Sequence, residues 1–190
     1  MDIKKQLQGY AIDVAQRVIT SDFDTLVAIV QRLVQAKTDG KTIYTAGNGG
    51  SAATASHICN DLVKGCRVND REGFRAVCLS DSNAIVTCLA NDFSYENIFS
   101  IQLKTFAVKG DVLLVFSGSG HSPNIVSVLK TAREMGVATI GFSGRDGGKM
   151  KALCDLLLIA PTDSMEQIED MHILYEHAMI GAIRELFSKP

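Results

Sequence analysis

The sequence contains few of the features that mark secreted or membrane proteins. It has no tryptophan, three prolines and no apolar run approaching the roughly 20 residues of a membrane-spanning helix. Its five cysteines are odd in number and lack CxxC spacing, which excludes a disulfide scaffold and a zinc finger and indicates reduced residues of a cytoplasmic protein. The opening residues 1–6 lack the apolar core of a signal peptide.

Neither sign of charge is in excess. Lys and Arg number 19 against 21 Asp and Glu, for a net charge of −2, which argues against nucleic-acid or membrane-surface partners. The length of 190 residues and the 46% of hydrophobic residues favour one domain over residues 1–190. In the first 37 residues, apolar side chains recur at helical spacing on both sides of Ser21 and Asp22. These two residues supply N-cap chemistry for the second helix, so a helical hairpin is predicted.

From residue 42 the pattern changes to short β-prone runs of four or five residues, which are typical of strands buried on both faces of a parallel sheet. The runs are Thr42–Ala46, Ala76–Leu79, Val112–Phe116, Ala138–Phe142 and Leu156–Ala160. Helical segments are expected at 51–63, 83–106 (long enough for two helices), 123–135 and 165–187. This alternation predicts an α/β fold, doubly wound or three-layered. In such sheets ligands bind beyond the carboxyl ends of the strands.

Two loops follow predicted strands and could hold a phosphate. Residues 47–51 read GNGGS and open into a helix, and residues 117–124 read SGSGHSPN. Glycines permit close backbone approach, while hydroxyls and helix N-termini bind anions. Ordinary strand-to-helix turns are the alternative for either loop. The first loop fits a loose dinucleotide fingerprint without its confirming acid, and no Walker A lysine exists, so a small phosphorylated molecule without a nucleotide is favoured.

A second group of residues could do chemistry. His57 and Asp61 share a face of the helix after the first loop, and Glu169 and His177 lie about 80° apart around the last helix. These side chains could converge on one divalent metal, with zinc favoured, or serve as acid and base in a proton transfer. The alternative is a solvated helix face, or buried histidines paired with neighbouring carboxylates.

The motifs in combination resemble the sugar isomerase (SIS) domain family, in particular its phosphoheptose isomerase branch. The segments that carry the resemblance are 46–57, 90–92, 117–124 and 144–149. The resemblance covers nearly the whole chain. It implies a three-layer α/β sandwich with a five-stranded parallel, flavodoxin-like sheet, an N-terminal helical hairpin and a long C-terminal helix. It also implies a cytoplasmic homotetramer that isomerises sedoheptulose 7-phosphate to D-glycero-D-manno-heptose 7-phosphate.

The same resemblance assigns roles by position. The substrate-binding residues it implies are Ser117, Gly118, Ser119 and Ser122 for the phosphate, and Asn48, Gly49, Gly50, Ser51, Asn91 and Asp92 for the sugar. One zinc ion per subunit would be held by His57, Asp61, Glu169 and His177. Asp61, His177 and Glu169 are the candidate acid–base residues. Two positions depart from the family, which usually carries Glu where this chain has Asp61 and Gln where it has Glu169, so a related sugar phosphate is an alternative substrate.

Other classes of function remain open on sequence grounds. One is a non-catalytic relative that binds a protein partner, as the replication-initiator-binding members of this family do. Another is a sugar-phosphate-sensing domain, although no DNA-binding segment is attached. Because the initiator-binding relatives lack the histidine of the terminal helix, the presence of both His57 and His177 favours the enzyme, with a small sugar phosphate and other copies of the chain as its only partners.

Overall fold

The computed structural model describes residues 2–69 and 72–188. Its centre is a five-stranded sheet in which every pairing is parallel, in the order β2-β1-β3-β4-β5. The strands are β1 (Thr42–Ala46), β2 (Arg75–Cys78), β3 (Val112–Ser117), β4 (Ala138–Gly144) and β5 (Leu156–Ala160). This strand order is that of flavodoxin-like sheets, so the predicted fold class is confirmed.

The described residues contain seven α-helices. They are α1 (Ile3–Ile19), α2 (Phe23–Thr38), α3 (Gly50–Asn60), α4 (Asn83–Asp92), α5 (Ile98–Phe106), α6 (Pro123–Met135) and α7 (Met165–Ser188). The predicted segment 83–106 is indeed two helices, joined by a short 3₁₀ turn at Tyr95–Asn97. The bounds of α6 coincide with the predicted ones because Pro123 starts the helix and Gly136, with φ of 68°, ends it in the left-handed region.

The sheet is the middle of three layers. Helices α2, α3 and α7 cover one face, where Leu33, Ile58 and Met171 belong to one buried cluster. Helices α5 and α6 cover the other face, where Phe99 and Leu129 belong to a second. The central strand β3 is buried at every position because it supplies side chains to both clusters. Burial on both faces explains why its sequence is continuously apolar.

The expectation that all five strands are buried on both faces was wrong for β2. This strand pairs only with β1, and as an edge strand it leaves Arg75 and Val77 exposed. The side chain of Val77 keeps 43% of its surface accessible. The apolar run alone did not distinguish an edge strand from a central one.

Helix α1 is attached to the rest of the chain mainly by polar contacts with α7 and the loop before it. Tyr10 donates a hydrogen bond of 2.5 Å to Asp170, and the Asp170 carboxylate raises the pKa of Tyr10 to about 12. Arg17 donates to the carbonyl oxygen of Pro161 at 2.8 Å. None of the residues in α1 is buried. Of its apolar side chains, Val14 and Val18 are partly buried against the core, and the exposed ones lie outside it.

Helix α3 ends differently from the predicted single helix over 51–63. After Asn60 the backbone widens into a five-residue π-helical turn, Asp61–Gly65. The amide of Cys66 donates to the carbonyl oxygen of Asp61 at 2.9 Å, which is the i to i+5 bond of such a turn. Turns of this kind occur often at functional sites.

All five cysteines are unpaired, and burial raises the pKa of the Cys66 and Cys154 thiols to about 12. No α-helix in the described ranges is long and apolar enough to cross a membrane.

His172 of α7 is a buried histidine that the sequence did not associate with any site. Its ring is 1% exposed, its Nε2 lies 3.1 Å from the Ser143 carbonyl oxygen, and it packs beside Phe116 and Phe142. Burial lowers the pKa of His172 to about 4, partly opposed by the hydrogen bond to Ser143. The folded chain therefore keeps this ring neutral at pH values where an unfolded chain would protonate it.

We predict that His172 makes the fold sensitive to acid. Between pH 6.5 and 4 the unfolded chain binds a proton at this position and the folded chain does not, so the free energy of unfolding falls by up to about 1.4 kcal/mol per pH unit. Urea unfolding at several pH values should show that the free energy of unfolding depends less on pH in His172→Leu than in the parent. The exposed His121→Leu variant is the control and should keep the parent dependence. If the free energy of unfolding depends on pH equally in His172→Leu and the parent, this account is contradicted.

Candidate functional site

The two predicted phosphate loops meet at one edge of the sheet. Strands β1 and β3 are parallel neighbours, so the loops that follow them leave from the same side. The strand order reverses between these two strands, which is where open α/β sheets bind ligands. The loops are joined by an amide pair in which Asn48 and Asn124 each donate to the other, at 2.9 and 2.8 Å. Tyr95 adds a hydrogen bond of 3.0 Å to the Asn48 amide oxygen.

Hydroxyls and helix N-termini gather around this edge. Helices α3 and α6 both begin here, and the N-cap residue of neither accepts a side-chain hydrogen bond from the first turn, so backbone N–H groups such as those of Gly50 and Ser51 remain available to an anion. The hydroxyls of Ser117 and Ser122 lie 3.3 Å apart, and Ser119 accepts a hydrogen bond from the His121 amide at 3.2 Å. The arrangement is suited to a phosphate group.

Gly120 fixes the shape of the serine loop. Its φ of 65° lies in the left-handed region, and a Cβ there would stand 2.2 Å from the carbonyl oxygen of Gly147. A side chain at this position would push the loop away from the turn after β4. The loop can therefore keep its hydroxyls turned inward only with glycine at position 120.

A cavity of about 140 Å³ lies between the two loops and α7. It is lined by Asn48, Ser51, Phe116, Ser117, Gly118, Ser119, Ser122, Met165 and Glu169. The Glu169 carboxylate packs directly against Gly50, where a Cβ would lie 2.6 Å from Oε2. The cavity thus has hydroxyls on one wall and a carboxylate on another.

A separate cluster of His57, Asp61, Glu176 and His177 lies further along α3 and α7. One ligand atom from each residue falls within 4.8 Å of the others. The two imidazole Nε2 atoms are 3.0 Å apart, and Glu176 Oε2 lies 3.4 Å from that of His177 and 3.8 Å from that of His57. Asp61 Oδ2 is 3.7 Å from the His57 Nε2 atom. In tetrahedral zinc sites with bonds of 2.0–2.1 Å, neighbouring donor atoms stand about 3.3 Å apart.

The charge and burial of the donor groups also suit a metal ion. Glu176 is fully buried, and its carboxyl group lies beside the Asp61 side chain and the two imidazoles. Burial, the nearby charge of Asp61 and a hydrogen bond with the Asp61 side chain raise the pKa of Glu176 to about 8. A cation at this point would stabilise the charged form of the buried carboxyl group. The cluster is therefore suited to a divalent ion.

The structure divides the four predicted metal ligands between these two places. His57, Asp61 and His177 come together, whereas Glu169 lies in the cavity and outside the cluster. The reason is the rise of α7: Glu169 and His177 are eight residues apart, which is about 12 Å along the axis. The angle between them around the helix, on which the prediction relied, does not measure this distance.

The fourth residue of the cluster is Glu176, which the sequence analysis did not single out, and Glu169 stays a predicted ligand. The signal for Glu176 was present in the sequence, because this residue is a carboxylate next to His177 in a helix that is apolar on several faces. The other predicted sugar contacts, Asn91 and Asp92, end α4, are exposed and hydrogen-bond to each other at 2.8 Å. They do not line the cavity. Their role in binding stays a prediction.

The fold and the site are those of an α/β domain that binds a phosphorylated ligand, and comparison with known proteins gives the family. Residues 8–144 match the SIS domain family. A phosphoheptose isomerase of Paramagnetospirillum magneticum is 47% identical over 157 residues, which are 80% of this chain and 81% of that protein. One of Clostridium acetobutylicum is 39% identical over 87% of this chain and 85% of that protein.

Among solved structures, a phosphoheptose isomerase from Neisseria gonorrhoeae superimposes with a TM-score of 0.88 at 30% identity, covering 96% of this chain and 98% of that one. The chain therefore belongs to the SIS domain family, and within it to the phosphoheptose isomerases. The resemblance seen in the motifs is confirmed.

We predict that the serine loop binds phosphate. Replacing Ser119 and Ser122 together with alanine should weaken the binding of inorganic phosphate well over tenfold, since each hydrogen bond to a charged oxygen contributes about 1.5–3 kcal/mol. Isothermal titration calorimetry measures the change. Ser127→Ala, one turn further along α6, is the control and should bind as the parent does. Equal phosphate affinity in the double variant and the parent would remove this loop from the site.

Proposed function

We propose that the chain is an aldose–ketose isomerase that converts sedoheptulose 7-phosphate to D-glycero-D-manno-heptose 7-phosphate in the cytoplasm. The observation that carries the proposal is the cavity, in which the phosphate-loop serines and Glu169 face one space between α6 and α7. The relatives named phosphoheptose isomerase support the substrate. No observation favours the protein-binding or sensing alternatives.

The spacing of the site suits a long, open sugar chain. Along α3, Gly50 contacts Glu169 of α7, and seven residues later His57 contacts His177. Seven residues of helix span about 10 Å. A chain of six carbon–carbon bonds, each about 1.5 Å, covers a comparable distance. A sugar with its phosphate on carbon seven could thus place its first two carbons near the acid–base groups.

The residues would divide the work of the reaction as follows. Ser117, Ser119 and Ser122 bind the phosphate, and Asn48, held by its amide partner Asn124, orients a sugar hydroxyl. A base removes a proton from carbon one of the ketose while the oxygen on carbon two gains a proton, which gives an enediol. A proton is then delivered to carbon two while the hydroxyl on carbon one loses its proton and becomes the carbonyl.

Asp61, His177 and Glu169 are the candidate groups for these proton transfers. His177 offers an imidazole, the side chain that most often acts as an acid or base in such transfers. His57, Asp61 and His177 would also hold one zinc ion per subunit. When bound, the ion would supply polarisation of a sugar oxygen.

We expect the purified protein to produce the aldose with deuterium at carbon two when the reaction is run in deuterated water. Asp61→Asn should lower kcat by about 10²–10⁴-fold with little change in KM, because it removes a group that acts on the proton being transferred. Nuclear magnetic resonance of the product measures both label and rate. Asp24→Asn, on the first turn of α2, is the control. Absence of turnover on any sugar phosphate would favour the binding-protein alternative.

A homotetramer with shared active sites is part of the proposal. The cavity of about 140 Å³ is smaller than the roughly 300–1,000 Å³ of most small-molecule sites, so further surface is needed to enclose the ligand. On α1, Ile3, Leu7 and Ile19 are 63%, 68% and 75% exposed. Exposed apolar side chains at this density are typical of a surface that another chain covers.

Light scattering should give a mass four times the 20.5 kDa of one chain. Replacing Ile3 and Leu7 with glutamate should shift the protein to smaller species, since it places charge in an apolar contact. Lys4→Glu with Gln8→Glu, which has the same spacing on the same helix, should leave the mass unchanged. A parent protein that scatters as a single chain at micromolar concentration would rule out the tetramer.

A further inference from the structure

We infer that Tyr95 is a positioning residue of the site: together with Asn124, its hydroxyl holds the Asn48 amide so that this amide offers the sugar an N–H group and not its oxygen. The inference rests on the proposed function and deepens it, because it states how the turn after β1 recognises its ligand. Four hydrogen bonds carry it, and they join this turn to the start of α6 and to the short turn between α4 and α5.

The orientation of the Asn48 amide is fixed by the backbone of α6. Two amides that face each other can be reversed together without losing either hydrogen bond, so the pair of Asn48 and Asn124 alone does not determine which atom is the oxygen. The backbone N–H of Ile125 can only donate, and it points to Asn124 Oδ1 at 3.0 Å. The same oxygen accepts from Asn48 Nδ2 at 2.9 Å, and Asn124 Nδ2 donates to Asn48 Oδ1 at 2.8 Å. The orientation of Asn48 therefore follows from that of Asn124, whose side chain is buried.

Tyr95 occupies the remaining hydrogen-bonding position of the Asn48 oxygen. An amide oxygen has two lone pairs. Asn124 Nδ2 donates to Asn48 Oδ1, and the Tyr95 hydroxyl donates to the same oxygen at 3.0 Å. The Asn48 nitrogen uses one N–H group on Asn124 and has no other partner in the ranges that the structure describes. Because Asn48 is half-buried and lines the cavity, its second N–H is the group that it can offer to a hydroxyl or carbonyl oxygen of the sugar.

The turn that carries Tyr95 is held against α6. Tyr95 is the first residue of the 3₁₀ turn Tyr95–Asn97. Asn97 accepts a hydrogen bond of 3.4 Å from Ser127 of α6 and donates one of 3.1 Å to Ser94. The helix that fixes the Asn48 amide through its first turn therefore also holds the turn of Tyr95. Tyr95 does not itself line the cavity, so its effect on the ligand passes through Asn48.

The test is a double-mutant cycle on the binding of a heptitol 7-phosphate, measured by isothermal titration calorimetry. In this compound the carbonyl of the sugar is reduced to an alcohol, so it cannot isomerise. Tyr95→Phe removes only the hydroxyl and should weaken binding by about three- to tenfold. In the Asn48→Ala background the same change should alter binding by less than about 1.5-fold, because the hydroxyl acts through Asn48. Equal losses in both backgrounds would overturn the inference, as would parent-like binding by Tyr95→Phe.

Inorganic phosphate separates positioning from damage to the fold. Tyr95→Phe should bind it as the parent does, because the hydroxyl contacts the Asn48 amide and not the serine loop. Tyr44→Phe removes a hydroxyl from β1 outside the cavity and is the matched control, which should bind both compounds as the parent does. Phosphate binding weakened in Tyr95→Phe by the same factor as heptitol 7-phosphate binding would show a structural role and overturn the inference.

A further variant tests which atom of Asn48 meets the sugar. Asn48→Asp keeps the size of the side chain and removes both N–H groups. It should therefore lose the preference for the heptitol 7-phosphate over inorganic phosphate as fully as Asn48→Ala does. A preference equal to that of the parent, or a parent with no such preference, would overturn the inference.

Turnover is scored separately from binding. Coupling between Tyr95 and Asn48 in heptitol 7-phosphate binding, without turnover of sedoheptulose 7-phosphate, would refute the proposed function alone. Turnover by a parent protein whose Tyr95→Phe variant binds the heptitol 7-phosphate equally well would refute the inference alone.

Discussion

The close contact between α3 and α7 determines the geometry of the whole site. These helices run side by side, with Gly50 against Glu169 at one end and His57 against His177 further along. A Cβ at position 50 would meet the Glu169 carboxylate and displace it from its place against the helix. A wider spacing of the two helices would pull Glu169 away from the cavity and separate the two histidines. The contact between these helices therefore positions both the cavity and the cluster, and Gly50 leaves room for the Glu169 carboxylate.

Much of the fold could be predicted from the sequence because its signals are local. The bounds of β1 and β5 coincide with the apolar runs that predicted them, and α6 begins and ends at the expected residues. These elements are flanked by glycine, proline or polar residues that stop the pattern abruptly. The exposure of β2 could not be predicted in the same way. It depends on which strands pair, and strand order is a property of the whole sheet.

The loops were predictable for a different reason. The serine loop and the glycine loop carry their chemistry within a few consecutive residues, so their function can be read without knowing what lies opposite. The metal cluster draws on two helices more than 100 residues apart in sequence, with His57 on one and His177 on the other. The angle around each helix predicted that both helices carry ligands. It could not show that Glu176 lies beside the two histidines, because that depends on the axial position at which the two helices touch.

The π-helical turn at Asp61–Gly65 has a consequence for how the chain tolerates length changes. Such a turn accommodates one residue more than a regular helical turn, and that residue is taken up locally. Removing a single residue after Asp61 would let the turn close into ordinary α-helix without moving His57, whereas the same deletion inside α3 would rotate His57 by about 100° relative to the start of the helix. A change in the length of the segment that leads to β2 therefore leaves the position of His57 on α3 unchanged. Relatives with one residue fewer in this segment would keep the same site.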